Sequence, residues 1–437
     1  MKEILEVLKQ KSQTNWLVNW NSLDFYRDTL IFYHQFNQYH QPTIFLAESN
    51  SYLFLTAFVA AVASESSLFL CNPDWKEQEW QQVYQLVSPD LVVGVSPKNI
   101  PKNIADKSNL LNKIMIPTGG TSGQIKFVIH TWETLEASVR GFQEYFAVNQ
   151  VNSCCILPLY HVSGLMQFLR SWFTEGQFLF VFYRQIKQGI LPKYELPDFF
   201  ISLVPTQLQF LLENYANWLK EFSTILLGGA PAWRSLLEQA RQEKFNLALT
   251  YGMTETASQV VALKPEEFLQ GNNSNGQVLP HANLKISPED NIIIESKSMF
   301  LGYYPNFHPQ KELITDDVGY LDDKNNLFIL GRDSQKIITG GENVYPKEVE
   351  EAILSTQLVQ DVAVIGISDL QWGQIIVALY VSNRSDRVEE MLKIELEHRI
   401  SKYKHPKHWI KVTQIPRNLQ GKISQEQIQK LVNSFLK

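Results

Sequence analysis

Short apolar strand patterns alternate with helical patterns from residue 42 to about residue 260, and this alternation constrains the fold most. Such alternation is typical of α/β proteins, because helices that connect parallel strands cover the faces of the sheet. The apolar and β-branched runs predict strands at 42–47, 67–71, 91–95, 153–157, 199–204 and 224–227. Helical spacing of apolar residues predicts helices at 51–63, 132–146, 207–215 and 232–244. We therefore predict an α/β fold with parallel-rich sheets.

The pattern changes twice toward the C-terminus. Between residues 284 and 330 short strands are separated by Pro, Asn, Asp and Gly, which indicates a meander or a small barrel-like β region. After Gly331-Arg332-Asp333 the composition resets to a compact α+β pattern of roughly 100 residues, enough for an independent domain. We predict a large N-terminal domain at 1–331, a hinge at 332–335 and a small, mobile α+β domain at 336–437.

The composition is that of a globular protein without a basic field for nucleic acid. Hydrophobic residues make up 44% of the 437 residues, and 39 Lys and Arg face 45 Asp and Glu, for a net charge of −6. Three cysteines, Cys71, Cys154 and Cys155, are too few for a disulfide framework, which favours a cytoplasmic location. The N-terminus lacks the apolar core of a secretory signal, and Glu65 divides the most apolar stretch, so neither export nor membrane insertion is expected.

Residues 116–126, IPTGGTSGQIK, combine three glycines, three hydroxyls and one lysine directly after an apolar run. Glycines let backbone N–H groups converge on an anion, while the hydroxyls add donors and the lysine adds a positive charge. The stretch predicts a phosphate-binding loop, although a flexible surface turn has a similar composition. A Walker A loop fits less well, because it needs four residues between its glycines and Lys-Ser or Lys-Thr directly after them.

Six short motifs follow one another along nearly the whole chain. They are the loop at 118–126, YGMTET at 251–256, TDDVGY at 315–320, Gly331-Arg332, GGEN at 340–343 and GKIS at 421–424. In this order they resemble the adenylate-forming enzymes, which include acyl-CoA and aryl-CoA synthetases, peptide-synthetase adenylation domains and luciferases. Within that family, the stretches at 157–165, 203–208 and 226–231 are most similar to those of 2-succinylbenzoate-CoA ligases, which belong to menaquinone and phylloquinone synthesis.

The resemblance implies a reaction in two halves. A carboxylate attacks the α-phosphorus of ATP to give an acyl-adenylate and pyrophosphate, and the thiol of CoA then displaces AMP. Because both halves gather negative charge, the site needs a metal ion, cations and oriented N–H donors. The expected partners are ATP, Mg²⁺, CoA and a small aromatic carboxylic acid, with no nucleic acid, and a homodimer is compatible with this assignment.

Three other functions stay open at this point. The chain could be a different aryl- or acyl-CoA synthetase, or a stand-alone enzyme that loads a carrier. From a different class, it could be a non-catalytic nucleotide-binding regulator that kept the fold.

The resemblance also assigns roles to single residues. Glu255 would bind Mg²⁺, Thr254 would contact the α-phosphate, and Lys422 would reach the carboxylate and the α-phosphate as the catalytic cation. The nucleotide would be contacted by Thr118, Gly119, Gly120, Thr121, Ser122, Gly123, Lys126, Gly229, Ala230, Tyr251, Gly252, Asp317 and Arg332. Gly340 and Gly341 would meet the thiol after the small domain rotates about 332–335.

Each of these residues also has a structural interpretation. Tyr251-Gly252 could be a turn that ends a strand, and Asp317 could be a β-turn residue. Glu255 could be a solvated carboxylate at the start of a helix, and Lys422 an ordinary exposed lysine.

Two residues are candidates for contact with the acid. His161, a catalytic as well as a substrate-binding candidate, would lie where the acyl group meets the thiol, with Gly229 nearby. Arg170 lies in the apolar run 165–172, where a buried cation without a partner is costly, so the spectator carboxylate of succinylbenzoate is an attractive partner. The alternatives are a common core or surface role for His161, and for Arg170 a salt bridge to a residue such as Glu175, or plain exposure.

The phosphate loop departs from the usual sequence of the family at four positions. Gly119 stands in place of serine, Ser122 in place of threonine, Ile125 in place of proline and Phe127 in place of glycine. One hydroxyl and one rigid turn are lost, so we expect a more mobile loop and a weaker affinity for ATP.

Overall fold

The computed structural model describes residues 2–95, 111–119, 124–384, 387–417 and 423–435. Its strands are β1 (Thr43–Ala47), β2 (Ser67–Leu70), β3 (Leu91–Gly94), β4 (Ile114–Gly119), β5 (Ile125–His130), β6 (Asn152–Cys155), β7 (Phe178–Phe180), β8 (Phe199–Leu203), β9 (Thr224–Leu227), β10 (Leu247–Met253), β11 (Ser258–Ala262), β12 (Gln277–Val278), β13 (Ala282–Ile286), β14 (Asn291–Ser296), β15 (Gly302–Tyr303), β16 (Asn306–Phe307), β17 (Leu313–Leu321), β18 (Leu327–Arg332), β19 (Ile337–Thr339), β20 (Glu342–Val344), β21 (Asp361–Asp369), β22 (Gly373–Val381) and β23 (His408–Lys411).

The helices connect these strands and cover the sheets. They are α1 (Lys2–Lys11), α2 (Ser22–Phe36), α3 (Ser51–Ala63), α4 (Glu77–Leu86), α5 (Trp132–Phe146), α6 (Val162–Phe173), α7 (Tyr183–Lys187), α8 (Pro205–Leu219), α9 (Arg234–Gln242), α10 (Pro265–Leu269), α11 (Pro346–Leu354), α12 (Val388–Glu397) and α13 (Gln425–Phe435). The predicted helices at 51–63 and 132–146 have the bounds of α3 and α5, because Asn50 and Thr131 cap their first turns. The helix predicted at 207–215 is longer, since α8 continues past a kink at Tyr215.

Two seven-stranded sheets form the larger part of the molecule. The strand order is β16-β15-β5-β4-β2-β1-β3 in the first sheet and β12-β11-β10-β9-β8-β6-β7 in the second. β3, β1, β2 and β4 pair in parallel in the first sheet, and β7, β6, β8, β9 and β10 pair in parallel in the second. Antiparallel strands complete one side of each sheet. Both sheets are therefore rich in parallel pairs, as predicted.

A shared apolar layer lies between these two sheets. Ile44 and Ile116 of the first sheet belong to the same buried cluster as Phe178 of the second sheet and Phe168 of α6. Most of α3 is buried in this layer, which explains why residues 52–71 are the most apolar part of the sequence. The helix predicted at 51–63 is present as α3, and the strand predicted at 67–71 is present as β2, which ends at Leu70.

Two smaller sheets follow toward the C-terminus. β13, β14, β17 and β18 form the four-stranded antiparallel sheet that corresponds to the predicted barrel-like region. β20, β19, β22 and β21 form the last sheet, to which β23 adds a parallel strand. α11 and α12 pack on one face of the last sheet and α13 packs on the other, which gives the predicted α+β pattern. The domain bounds at 331 and 336 remain predictions.

None of the helices within the described ranges combines the length and the apolarity that crossing a bilayer requires.

Two histidines of the described chain are buried. His130 is inaccessible to solvent and His281 is 6% exposed. Burial lowers the pKa of both rings from 6.5 to about 4, and the charge of Lys297 adds to the effect on His281. An unfolded chain protonates both rings near their ordinary pKa, whereas the folded protein keeps them neutral, so protons favour the unfolded state in this window.

We expect the free energy of unfolding to decrease as the pH falls from about 6.5 toward 4, by roughly 2 kcal/mol per ring at about pH 5. Urea unfolding followed by tryptophan fluorescence at several pH values measures this slope. His281→Leu removes one titrating ring and should flatten the slope. Identical slopes for the two proteins would contradict the assignment to His281.

Candidate active site

Loops at the carboxyl ends of parallel strands carry many of the predicted site residues. In the second sheet His161 follows β6, Gly229 follows β9, and Glu255 follows β10. In open α/β sheets ligands bind at this edge, because the chain leaves the strands there and forms loops. The fold therefore places these three residues along one edge of one sheet.

Asp317 is held by two other predicted nucleotide contacts. The hydroxyl of Tyr251 donates to Oδ2 of Asp317 at 2.9 Å, and Nε of Arg332 donates to Oδ1 at 3.2 Å. Asp317 and Arg332 are opposite each other in β17 and β18, so the alternative of a β-turn residue is wrong. Burial and the charge of Asp317 raise the pKa of Tyr251, which keeps the phenol a donor. Each carboxylate oxygen can accept a second hydrogen bond, so acceptors remain for ribose hydroxyls.

Gly252 allows β10 and β11 to approach closely. A Cβ atom at this position would lie 2.0 Å from the carbonyl oxygen of Ser258. The pairing register shifts between Tyr251 and Gly252, as in a β-bulge. The strand continues to Met253, so the alternative of a strand-ending turn at 251–252 is also wrong.

A 3₁₀ turn, Thr254–Thr256, follows β10 and presents Glu255. The carbonyl oxygen of Thr254 lies 2.7 Å from Nε2 of His130, and that of Glu255 accepts from the amide of Phe300 at 2.8 Å. The next two carbonyl oxygens accept from the hydroxyls of Ser298 and Ser138. The turn is therefore held by residues from three separate parts of the chain.

Glu255 contacts a tyrosine that was not among the predicted site residues. The hydroxyl of Tyr303 donates to Oε1 of Glu255 at 2.7 Å. Tyr303 lies on β15 opposite Val128 of β5, and Nζ of Lys126 lies 5.6 Å from the centre of the Tyr303 ring. The predicted phosphate-loop lysine and the predicted metal-binding carboxylate thus contact the same side chain.

The surroundings of Glu255 fit a magnesium ion that is shared with phosphates. Among the described residues no three His, Cys, Asp or Glu side chains form a closed metal cluster. Mg²⁺ usually keeps several waters and takes one or two carboxylates together with phosphate oxygens. Since Tyr303 engages Oε1, the other carboxylate oxygen can face such an ion.

The phosphate loop closes an antiparallel hairpin. Thr118 of β4 pairs with Lys126 of β5, and Gly119 pairs with Ile125. Gly120, Thr121, Ser122 and Gly123 lie outside the described residues. The chain returns from the loop as a strand, and α5 begins only at Trp132.

The turn after β9 lies beside the residue that precedes Tyr251. A Cβ atom at Gly228 would lie 2.3 Å from Oγ1 of Thr250, and Gly229 has a φ of +79°. Ala230 follows in the same turn. The turn that carries Gly229 and Ala230 therefore lies beside the strand that carries Tyr251, and their contact with the nucleotide stays a prediction.

His161 and Arg170 both belong to the region of α6. His161 is the N-cap residue of this helix, and its ring centre is 4.5 Å from that of Tyr160. Arg170 lies on the third turn and is 3% exposed. The described structure thus contradicts the alternative that Arg170 is exposed.

No described carboxylate pairs with the Arg170 guanidinium. Its Nη2 donates to Oγ of Ser258 at 3.3 Å, its Nε has no hydrogen-bond partner, and its Cζ lies 4.4 Å from the centre of the Phe142 ring. The salt bridge to Glu175 is therefore absent from the described contacts. Burial lowers the pKa of Arg170 to about 10, which leaves the group charged at neutral pH.

Gly340 and Gly341 form the turn between β19 and β20, and both have positive φ. The amide of Gly340 donates to the carbonyl of Trp372 at 2.9 Å. Lys422 lies outside the described residues, so its catalytic role remains a prediction.

Comparisons with known proteins identify the family of the chain. The profile of AMP-binding enzymes matches residues 112–304, and that of the AMP-binding enzyme C-terminal domain matches residues 348–422. A 2-succinylbenzoate–CoA ligase of Listeria monocytogenes serotype 4b is 34% identical over 321 residues, which cover 71% of this chain and 68% of the relative. The chain belongs to the AMP-binding enzyme family. A ligase of the same name from Oceanobacillus iheyensis is 32% identical over 334 residues, with 71% and 68% of the two chains covered.

Solved AMP-binding enzymes share the fold. An o-succinylbenzoate coenzyme A synthetase from Bacillus subtilis in complex with AMP has a TM-score of 0.85 and 24% identity, and 97% of each chain is covered. The same enzyme in complex with its acyl-adenylate intermediate has a TM-score of 0.82 at the same identity and coverage. The predicted fold class and the predicted resemblance are confirmed.

Two residues that contact the candidate site residues Glu255 and Thr254 escaped the sequence analysis. Tyr303 has one local signal, the Gly302-Tyr303 pair before a turn, but its partner Glu255 lies 48 positions away in the chain. His130 is a single histidine at the end of an apolar strand. A histidine in that position can be a buried core residue without a function, so the sequence does not distinguish the two cases. His130 ends β5 and Tyr303 lies on the neighbouring β15 of the first sheet, while Thr254 and Glu255 follow β10 of the second sheet, so these contacts join strands that are far apart in the chain.

Gly252→Ala should disrupt the AMP site. The methyl group would meet the carbonyl of Ser258, so β10 would shift together with Tyr251 and the turn that carries Glu255. Overpacking of this kind lowers the free energy of unfolding by about 1–3 kcal/mol. If the binding free energy of AMP falls by the same amount, AMP affinity decreases by roughly tenfold or more. Calorimetric titration with AMP measures the affinity, and urea unfolding measures the free energy of unfolding.

Gly271→Ala is the control for this variant. Gly271 has a φ of +93° and nothing within 4 Å of an added Cβ atom, so its replacement should affect stability alone. Unchanged AMP affinity in Gly252→Ala would contradict the close approach of β10 and β11.

Proposed function

We propose that this AMP-binding enzyme is an ATP-dependent acid–thiol ligase that converts 2-succinylbenzoate to 2-succinylbenzoyl-CoA for menaquinone biosynthesis. A carboxylate oxygen of the acid attacks the α-phosphorus of ATP, and pyrophosphate leaves with the bonding electron pair. The sulfur of CoA then attacks the acyl carbon, AMP leaves, and the thiol proton is released. Relatives that are 34% and 31% identical carry this ligase name, which supports the acid and the thiol as well as the reaction.

One observation carries the nucleotide half of the proposal. Tyr251, Asp317 and Arg332 form a hydrogen-bonded group, and Tyr251 lies four residues before Glu255 on the same strand and turn. Asp317 binds the ribose hydroxyls, and Thr254 contacts the α-phosphate. Glu255 holds Mg²⁺, which offsets the charge of the phosphates as the carboxylate approaches.

The acid half of the proposal depends on the charge of Arg170. A buried guanidinium without a carboxylate partner is costly in the free protein, and an ionised ligand removes that cost when it binds. 2-Succinylbenzoate has two carboxylates, of which one is activated and one is a spectator. Arg170 binds the spectator carboxylate in this proposal, and His161 and Gly229 lie beside the reacting acyl group.

The thioester half depends on the small C-terminal domain. We propose that residues 332–335 are the hinge, that Lys422 serves the first half-reaction, and that rotation brings Gly340 and Gly341 to the thiol. In the described structure the proposed hinge is bound to β17, since Arg332 contacts Asp317 and the amide of Ser334 donates to Asp316 at 2.9 Å. The cytoplasmic location, the homodimer and a role in phylloquinone synthesis remain predictions.

Purified protein should release AMP with 2-succinylbenzoate, ATP, Mg²⁺ and CoA, and should release much less with other aryl or acyl acids. Anion-exchange chromatography of the nucleotides measures the product. Lys422→Ala is the matched control: it should lower adenylate formation by roughly a hundredfold or more, the scale of one lost transition-state charge contact. AMP release with a different acid would replace the proposed substrate, and none with any acid would favour the nucleotide-binding regulator.

Arg170→Gln should separate substrate binding from stability. Glutamine is neutral, so the substitution removes a buried charge that has no described carboxylate partner. The free energy of unfolding should therefore stay equal or rise by about 1 kcal/mol. The KM for 2-succinylbenzoate should rise roughly tenfold or more, since a charge-assisted contact is lost. An aromatic acid without the second carboxylate is the comparison substrate, and its kinetics should change little. Equal losses for both acids would contradict the contact with the spectator carboxylate.

A further inference from the structure

We propose that Tyr303 is a positioning residue that orients the Glu255 carboxylate for the metal ion of bound ATP. This inference rests on the proposed function, because it takes Glu255 as the magnesium ligand. It adds a residue that lies outside the six motifs and assigns a task to its hydroxyl.

The segment from Phe300 to Tyr303 holds Glu255 at two places. The amide of Phe300 donates to the main-chain carbonyl of Glu255 at 2.8 Å, and the hydroxyl of Tyr303 donates to Oε1 at 2.7 Å. The two aromatic rings pack edge to face with their centres 5.0 Å apart. Backbone and side chain of Glu255 are thus fixed by one short segment, which limits rotation of the carboxylate.

The position of this segment is itself set by the phosphate-loop hairpin. Tyr303 is opposite Val128 in the β5–β15 pair, and the amide of Leu301 donates to the carbonyl of Ile129 at 2.8 Å. Lys126, on the same strand as Val128, places its ammonium 5.6 Å from the Tyr303 ring centre. A strand that leads out of the phosphate loop therefore also locates the carboxylate that would share the metal ion with the phosphates.

Hydrogen bonding at one carboxylate oxygen has a direct effect on a metal bound at the other. The phenol of Tyr303 holds Oε1 of Glu255, so the carboxylate is restricted to one orientation. The other oxygen then binds a metal ion with a smaller loss of side-chain conformational entropy. Groups that orient metal ligands in this way typically change metal affinity by roughly 10–100-fold when they are removed. Nothing in this role requires Tyr303 to touch the nucleotide or the acid.

Tyr303→Phe tests the hydroxyl while it keeps the ring beside Lys126. The dissociation constant of ATP is measured by calorimetry without acid or CoA, once with excess Mg²⁺ and once with EDTA, so the readout needs no turnover. Mg²⁺ should strengthen ATP binding to the unaltered protein, and Tyr303→Phe should reduce that gain by roughly 10-fold. ATP affinity in EDTA and AMP affinity should stay within about twofold, because the nucleoside contacts remain intact.

Tyr304→Phe is the matched control. It removes a hydroxyl from the neighbouring buried tyrosine, whose long 3.4 Å contact is to the carbonyl of Leu86, and it should leave the Mg²⁺-dependent gain unchanged. Urea unfolding of both variants shows whether either change acts through stability. An equal loss in both variants would assign the effect to packing and overturn the proposal.

Glu255→Gln completes the test as a double-mutant cycle. If Tyr303 acts through the carboxylate, Tyr303→Phe should have no further effect on the Mg²⁺-dependent gain in the Glu255→Gln background. Additive losses would show that Tyr303 acts independently of Glu255 and would overturn the inference alone. No Mg²⁺-dependent gain in the unaltered protein would overturn both the inference and the metal site, whereas a normal gain without AMP release from any acid would remove the proposed reaction only.

Discussion

The contact between the ring of His130 and the carbonyl of Thr254 joins the two seven-stranded sheets at the active site, with 2.7 Å between Nε2 and the oxygen. A carbonyl oxygen can only accept, so Nε2 carries the proton in this contact. The other ring nitrogen, Nδ1, lies 3.0 Å from Oγ1 of Thr134 at the start of α5. Because burial keeps the imidazole neutral, the contact couples a strand, a helix and the Glu255 turn without placing a charge in the core. The carbonyl of Thr254 also accepts from the amide of Ala257 at 3.1 Å, so the ring adds a second hydrogen bond that ties the turn to β5.

Two charged residues of the candidate site, Asp317 and Arg170, have different surroundings. Asp317, the proposed contact of the ribose, is paired with Arg332 and hydrogen-bonded to Tyr251. Arg170, the proposed contact of the acid, is buried against Phe142 and Ser258 with no carboxylate of the described chain beside it. A paired carboxylate is preorganised and inexpensive in the free protein, whereas an unpaired cation costs stability until an anion binds.

Local sequence signals were sufficient where neighbouring residues decide the structure. α3 and α5 have the predicted bounds because each begins at a capping side chain and buries a regular apolar face. The motif residues Asp317 and Arg332 were both predicted to contact the nucleotide, and they lie opposite each other in β17 and β18. Local sequence signals did not predict contacts that depend on the pairing of strands that are distant in the chain. The short strand of Tyr303 has no periodic pattern of its own, and its antiparallel pairing with β5 cannot be deduced from propensity.

The sequence by itself determined the α/β class and the family, because these follow from periodicity and from motifs in chain order. It also supplied the types of side chain that can bind the phosphates of ATP and the carboxylate of the acid. Tertiary structure alone decided which of those groups are paired and which are left unpaired. It showed that Arg170 has no carboxylate partner among the described residues, that Glu255 is held by Tyr303, and that Thr254 is held by His130. The reason is physical: burial and hydrogen bonding depend on strands and helices that are distant in sequence, and their pairing carries no local signal.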